Sequence, residues 1–283
     1  MAASHSIVFS HASKKARRSR ALPRGIAALL SIVLLAAAVL ASPVPAAAGG
    51  MGWYTVRAKD HSQPVADPPL RVVEEYGGYY IDHTHTRVDD PDKVVYLTFD
   101  AGYENGNVAK VLDTLKEAEV TGAFFILGHL AEACPALVRR MAEEGHLVCN
   151  HTDSHKNLCG ATKAEIEGEL GRLAEICLSA AGVTVAKYFR PPEGCFDIPL
   201  LQTAQALGYK TVFWSFAYAD WDNSRQPDPA AAKKKILDHA HNGAVILLHP
   251  TSATNAAILG DVIAELKSQG YRFGALDELT GGV

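Results

Sequence analysis

The chain has 283 residues, of which 48% are hydrophobic, and its formal net charge is −4 at pH 7. This length and composition suit one domain of about 200 residues with a sizeable core, plus additional segments. Six of the 27 Lys and Arg residues fall within the first 24 positions, so the rest of the chain carries 21 of them against 31 Asp and Glu residues. An excess of acidic residues argues against nucleic acid as a partner.

The N-terminus carries the pattern of an export signal. The basic residues precede an apolar stretch at 25–41, and a run of small residues then ends at Ala48. A basic region, an apolar core and an Ala-x-Ala end are typical of a secretory signal, which we predict at residues 1–48 with cleavage after Ala48. An uncleaved anchor is the alternative, because the apolar run is near the shortest length that spans a bilayer. Both interpretations predict a secreted or cell-envelope protein that contacts the membrane only through this segment, if it is not cleaved.

The five cysteines give no metal motif. They are Cys134, Cys149, Cys159, Cys177 and Cys195, and no C-x-x-C pair occurs among them. A structural zinc knuckle therefore has no support. Export permits disulfides, but the odd number leaves at least one thiol unpaired within the chain, and the spacing does not assign the pairs. Cys177 lies on the apolar stripe of a predicted helix, which indicates a small core residue.

Residues 49–92 are rich in Tyr, Gly, Pro and Asp and show no sustained hydrophobic period. We predict an irregular N-terminal segment that wraps around the main domain, which follows at residues 93–283. His83 and His85 fall in this segment. Two histidines in a polar loop are usually solvated, so a role as metal ligands is the less favoured interpretation.

From residue 94 onward, strand and helix signals alternate. Strands are predicted at residues 94–99, 122–127, 146–150, 188–190, 210–216, 244–248 and 272–276, with helical patterns between them. About seven such units predict an α/β fold in which parallel strands curl into a distorted (β/α) barrel. A doubly wound open sheet is the alternative. No G-x-G-x-x-G motif or P-loop occurs, so a nucleotide site lacks support.

Polar residues follow the apolar strands where each strand ends. They are Asp100 after the first strand, His151 and His155 after the third, Arg190 at the end of the fourth, Asp220 and Trp221 after the fifth, and His249 after the sixth. The carboxyl ends of parallel strands meet at one rim of a barrel, so we expect these side chains to converge there.

Each of these residue types has a chemistry at such a rim and a structural alternative. Asp100 is either part of a site or a cap of the following helix. Two histidines four residues apart on one helical turn bind a single metal ion, and surface histidines are the alternative. Arg190 can pair with a buried aspartate and lower its pKa, and a surface arginine before a rigid turn is the alternative. A histidine at the edge of the core near a carboxylate, such as His249, acts as an acid or base.

The order of these motifs resembles the polysaccharide deacetylase family, also called the NodB-homology family or carbohydrate esterase family 4. The motifs are TFD, H-x-x-x-H, RPP-x-G, DW and LLH, and the resemblance spans about residues 94–279. The longer strings TFDAGYENG, FWSFAYADW and LLHPTSATNA are most similar to one branch. That branch is the delta-lactam-biosynthetic de-N-acetylases of spore-forming bacteria, which act on muramic acid in cortex peptidoglycan.

The resemblance implies a distorted (β/α) barrel and metal-assisted hydrolysis of an amide bond. Asp100 matches the general base that activates the attacking water, and Arg190 matches the residue that holds this base. His151 and His155 match the ligands of a divalent metal ion, zinc or similar. His249 matches the general acid that protonates the leaving amine.

The same resemblance assigns the supporting residues. Asp220 matches an acid that orients the catalytic histidine, and Trp221 matches a residue that lines the acetyl pocket. We also expect Tyr103, Pro191 and Pro192 to bind the substrate.

Two positions depart from the family pattern. Most members follow the base with a second aspartate that binds the metal, whereas Ala101 stands there in this chain. An alanine has no ligand atom, so this departure weakens the expected metal site and puts the identity and need of the metal in question. Glu193 stands where we expect a basic or neutral residue, and it adds negative charge near the site.

The sequence therefore predicts an exported hydrolase that removes acetate from N-acetylmuramic acid in peptidoglycan glycan strands, for muramic delta-lactam formation during sporulation. A deacetylase of another N-acetylated glycan, such as chitin or N-acetylglucosamine strands, is the first alternative. An inactive glycan-binding homologue, suggested by Ala101, is the second. The oligomeric state is not indicated.

Overall fold

The central strand forms where the sequence has its most continuous run of β-branched and aromatic residues. It covers Lys93–Ala101, and eight of its nine residues are buried, as expected for a strand covered on both faces. The structure is a computed structural model, and it describes residues 50–58 and 60–281. The predicted leader at residues 1–48 and its cleavage site lie outside the described residues.

The described strands are, in chain order, β1 Met51–Gly52, β2 Thr55–Val56, β3 Val65–Ala66, β4 Gly78–Tyr79, β5 Lys93–Ala101, β6 Ala123–Ile126, β7 Leu147–Asn150, β8 Ala186–Phe189, β9 Cys195–Phe196, β10 Lys210–Val212, β11 Ala244–Leu248 and β12 Tyr271–Phe273. The α-helices are α1 Val72–Glu75, α2 Asn107–Glu117, α3 Gly128–Ala133, α4 Pro135–Glu143, α5 Lys163–Ile176, α6 Ile198–Ala206, α7 Pro229–Asp238, α8 Ala253–Ser268 and α9 Leu276–Leu279.

The main sheet is parallel and curled. Its strands lie in the order β11-β5-β6-β7-β8-β10-β4, and β12 pairs with the start of β5. Two isolated bridges join the opposite ends of this order: Phe216 pairs with Ile246, and Ile81 pairs with Ala244. The sheet therefore curves back on itself, which confirms the distorted (β/α) barrel and excludes the doubly wound open sheet.

Side chains of alternate residues in β5 pack into two different apolar layers. Val95, Leu97 and Phe99 pack against the surrounding helices. Val94 and Tyr96 belong to a separate apolar cluster inside the curled sheet. Because side chains alternate along a strand, Asp100 continues the inward-facing set at the carboxyl end.

The N-terminal segment contributes more regular structure than the irregular wrap that we predicted. β4 lies in the main sheet, and β1 pairs antiparallel with β9. The buried indole of Trp53 donates a hydrogen bond of 2.8 Å to the carbonyl of Trp214. His85 is not solvated but lies between Asp82 and Asp92, with ring nitrogens 2.8 and 3.3 Å from their carboxylates.

Some local predictions were confirmed. Others were wrong because a residue pairs with a distant strand or because an element is too short to show a pattern. Cys177 is fully buried, as predicted for a small core residue, and a capping box of Thr162 and Glu165 starts α5. The predicted strand 210–216 ends at Val212, because the next residues leave β10 and Phe216 bridges to β11 instead. Helices α3 and α9 were missed, since six and four residues are too short to show a helical period.

The cysteine pairing is decided by the fold. Cys159 and Cys195 form a disulfide, and Cys134, Cys149 and Cys177 are free thiols.

Within residues 50–58 and 60–281, no helix is long and apolar enough to span a bilayer.

Candidate active site

A cavity of about 720 Å³ opens at the carboxyl ends of the parallel strands. Its lining includes six of the predicted site residues, and these are Asp100, Tyr103, His151, His155, Trp221 and His249. The polar rim predicted from the strand ends is therefore a real feature of the fold, as expected for a parallel barrel.

Asp100 and Arg190 form a buried ion pair at one wall of the cavity. Arg190 is fully buried and Asp100 is 8% exposed. The Nη1 atom of Arg190 donates to Oδ1 of Asp100 at 2.8 Å. The other guanidinium N–H groups donate to Thr98 Oγ1, Val212 O and Phe213 O, so the cation is held rigidly.

This pairing sets the charge of the carboxylate. Burial raises the pKa of Asp100, but the charge of Arg190 and the electrostatic interactions with His151 and His249 lower it more. The pKa of Asp100 therefore lies below its ordinary value, and the group is an ionised base at neutral pH.

Arg190→Met is expected to lower the free energy of unfolding by about 3–5 kcal/mol, because the change leaves a buried carboxylate and three backbone or hydroxyl acceptors without their partner. Urea denaturation measures this difference. Arg87→Met is the matched control, since Arg87 pairs with Asp89 on the surface and both side chains are more than two-thirds exposed. A loss for Arg190→Met no larger than that of the control would contradict the structural role of the pair.

His249 and Asp220 form a second pair at the other wall. Oδ1 of Asp220 lies 2.7 Å from Nδ1 of His249, and Oδ2 accepts from the backbone N–H of the same histidine at 2.9 Å. Asp220 is 1% exposed and also accepts from Nδ2 of Asn255 at 2.6 Å. Asn255 was not predicted as a site residue, although it lies in the string LLHPTSATNA, six residues after His249 and inside helix α8.

The pair favours the protonated form of the histidine. Burial lowers the pKa of His249, but the hydrogen bond and charge of Asp220, together with the charge of Asp100, raise it more. The pKa therefore lies above the ordinary histidine value. With Nδ1 engaged by Asp220, the Nε2 proton is the one left for a reacting group.

His151 and His155 lie together beside Asp100. Their rings are 5.0 Å apart, and Nε2 of His151 is 3.6 Å from Oδ2 of Asp100. The predicted helical turn is wrong: both residues lie in a loop after β7, and His155 has a left-handed backbone with φ 58°. The loop, rather than a helix, brings the two rings together.

His151 has the tautomer and charge of a metal ligand. Its Nδ1 donates to the carbonyl of Arg190 at 2.8 Å, which leaves the Nε2 lone pair toward Asp100. Burial lowers the pKa of His151 to about 4, so the ring is neutral at pH 7. His155 can supply a second imidazole. Among residues 50–58 and 60–281, no group of three or more His, Cys, Asp or Glu side chains is arranged to hold a metal.

Ala101 accounts for the missing third side chain. It is buried in the apolar layer between β5 and the helices and does not line the cavity. The residues present therefore fit a metal through two imidazoles, with the rest of its shell left to water and substrate oxygens.

Of the predicted substrate-binding residues, two line the cavity and two do not. Trp221 is 60% exposed with its ring 6.0 Å from that of His249, and Tyr103 is 43% exposed at the cavity. Pro191 and Pro192 are buried and do not line it. In that loop Glu193 lines the cavity instead, so the structure gives no support to substrate contact by the two prolines.

Several lining residues carry no sequence signal of their own. They are Leu127, Trp214, Tyr218, Leu247 and Thr251. Trp214 and Tyr218 belong to the aromatic string FWSFAYADW, and the structure places both at the cavity. Leu127 and Thr251 follow β6 and β11, which is the only feature of the sequence that indicates them.

One wall of the cavity carries a base, and the opposite wall carries an acid. An ionised carboxylate backed by Arg190 is suited to remove a proton from water, and a protonated imidazole backed by Asp220 is suited to donate one. An acid and a base whose environments push their pKa values in opposite directions are typical of hydrolytic sites.

Comparison with known proteins agrees with this chemistry. The sequence pattern of the family described as polysaccharide deacetylase matches residues 87–212. The peptidoglycan-N-acetylmuramic acid deacetylase PdaA of Bacillus subtilis is 40% identical over 230 residues, which are 81% of this chain and 85% of that protein. The peptidoglycan-N-acetylglucosamine deacetylase PgdA of Listeria monocytogenes is 34% identical over 194 residues, which are 67% of this chain and 39% of that protein.

A solved structure gives the same result. The structure of Bacillus subtilis PdaA, described as a family 4 carbohydrate esterase, superposes with a TM-score of 0.77 at 39% identity. The match covers 82% of this chain and 97% of that one. The chain therefore belongs to the polysaccharide deacetylases of carbohydrate esterase family 4 and is a hydrolytic N-deacetylase.

Proposed function

We propose that this protein is an exported peptidoglycan deacetylase that removes acetate from N-acetylmuramic acid. The proposal rests on two residue pairs at opposite walls of one cavity. In the first, Arg190 holds Asp100, and in the second, Asp220 holds His249. The substrate is taken from the relative in Bacillus subtilis, whose name specifies N-acetylmuramic acid and which covers most of this chain. Formation of muramic delta-lactam in the spore cortex is the finer proposal.

The chain's own residues suffice to describe the proton transfers. Asp100 removes a proton from a water molecule as the water oxygen attacks the acetamide carbonyl carbon. The carbon–nitrogen bond then breaks, and His249 donates its Nε2 proton to the departing nitrogen. The products are acetate and a free amine on the sugar. Arg190 and Asp220 hold the base and the acid in position and in the required charge states.

His151 and His155 would hold a divalent metal ion in this site. Such an ion, when bound, polarises the acetamide carbonyl and stabilises negative charge on its oxygen. The neutral state of His151 and the carbonyl bond at its Nδ1 support this assignment.

Acetate release from purified peptidoglycan, with and without chelator, tests the proposal. We expect release from the glycan strands, loss of release on treatment with a chelator, and recovery with Zn²⁺. A chitin oligomer is the control substrate. Release that is unaffected by chelation would contradict the metal role of the two histidines, and release from chitin alone would contradict the peptidoglycan substrate.

A glucosamine-type substrate is the second candidate, and Glu193 favours it. Glu193 lines the cavity, where its carboxylate would repel the free lactyl carboxylate of a muramic residue that carries no peptide, a group that glucosamine lacks. Mass spectrometry of the products separates the two candidates. A deacetylated muramic residue, or its lactam after loss of water, supports the first, and deacetylated glucosamine alone supports the second.

A further inference from the structure

The loop that carries His155 is held by separate contacts rather than by regular structure. Ser154 bonds to Glu169 of α5, and the N–H of Gly160 donates to Oδ2 of Asp197 at 2.7 Å. Residues 151–162, between β7 and α5, form no helix or strand. Thr152 and His155 both have left-handed backbones, with φ of 74° and 58°. Such conformations are strained for residues other than glycine and persist only where the surroundings impose them. His155 itself is exposed, whereas His151 is buried at the end of the strand. The distance between the two rings therefore depends on how the loop is held.

The loop is fastened to the neighbouring loop that follows β8. The disulfide joins Cys159, four residues after His155, to Cys195, five residues after Arg190. An exposed hydrogen bond of 3.1 Å runs beside it from Nδ2 of Asn157 to Oε2 of Glu193. Exposed side-chain hydrogen bonds are weak in water, so the covalent bond is the stronger of these two links.

The surrounding structure is built around the disulfide. Strand β1 pairs with β9, and Gly52 is the partner of Cys195. Just before β1, Gly50 lies so close to both sulfur atoms that a Cβ atom added there would overlap them. The cross-link is thus an integral part of the wall beside the cavity.

We propose that the Cys159–Cys195 disulfide is a positioning element of the active site: it holds the loop of His155 against the loop of Arg190 and so sets the spacing of His155 from His151. The inference rests on the proposed function. It assigns a role to two residues that neither line the cavity nor belong to the family motifs in this sequence.

The double variant Cys159→Ser with Cys195→Ser tests the proposal. We expect kcat/KM for acetate release to fall about 10- to 100-fold, the effect of a displacement of roughly 1 Å in a catalytic site. We also expect the side-chain NMR resonance of His155 to shift or broaden, while that of His249, on the opposite wall, stays unchanged. Loss of the cross-link also lowers Tm by roughly 5–10 °C, so all measurements are made well below the new Tm.

Controls separate positioning from folding. Cys134→Ser removes a free thiol and is expected to change none of these quantities. If the double variant does not fold, reduction of the folded wild-type protein with dithiothreitol provides the same comparison. A lower Tm with unchanged kcat/KM and an unchanged His155 resonance would overturn the proposal, because the disulfide would then only stabilise the fold. If the wild-type protein releases acetate from no glycan, the proposed function fails, and the His155 resonance still decides the positioning role.

Discussion

Asp100→Asn is expected to lower kcat/KM for acetate release by about 10³-fold. The amide has nearly the same shape as the carboxylate and can still accept the hydrogen bond from Nη1 of Arg190, but it cannot take a proton from water. Asp100 lies at the cavity and its pKa is lowered, so the wild-type carboxylate is ionised at neutral pH and able to take that proton. The loss should be as large on an activated ester, such as 4-nitrophenyl acetate, as on the glycan, since both reactions need an activated water.

Asp113→Asn is the matched control for this prediction. Asp113 also pairs with an arginine, with Nη2 of Arg140 at 2.6 Å, but the pair lies on the surface of the helical layer away from the cavity. We expect wild-type kcat/KM for the control. Near-normal acetate release by Asp100→Asn, with a folded protein shown by circular dichroism, would exclude Asp100 as the base.

His249→Ala is expected to lower kcat for glycan deacetylation by about 10²- to 10³-fold. The leaving group of an amide is a strongly basic amine, which departs only after protonation, and His249 is the proposed donor. A nitrophenolate leaves without protonation. The same variant should therefore lose much less activity on 4-nitrophenyl acetate, and equal losses on both substrates would contradict the role of general acid.

The pH profile provides a second measurement on this histidine. The pKa of His249 is raised, so the protonated acid persists above the ordinary histidine range and activity falls as the pH rises through the raised pKa. Asp220→Asn removes the charge and the strong hydrogen bond that raise this pKa. The alkaline limb of the profile should then move to lower pH, and an unmoved limb would show that another group titrates there.

The fold was predictable because its signals are local and repeated. Strands β5 and β11 are short apolar runs that are buried on both faces, and the helices between strands show an apolar stripe or a capping box. Alternation of such units leaves a parallel sheet with one polar rim as the natural arrangement. The candidate residues at the strand ends followed from this rule, and Asp100, His151 and His249 do line the cavity.

The sequence by itself determined the family, the barrel and the residue types at its rim, because strand periodicity and motif order are properties of neighbouring positions. Only the tertiary structure decided which of these residues meet. It paired Cys159 with Cys195 across 36 positions and placed Glu193 rather than the prolines at the cavity, whereas the pairing of Arg190 with Asp100 across 90 positions was expected from the family resemblance alone. Contacts between distant positions, and backbone strain such as that at His155, depend on how the elements pack. No local pattern in the chain encodes them.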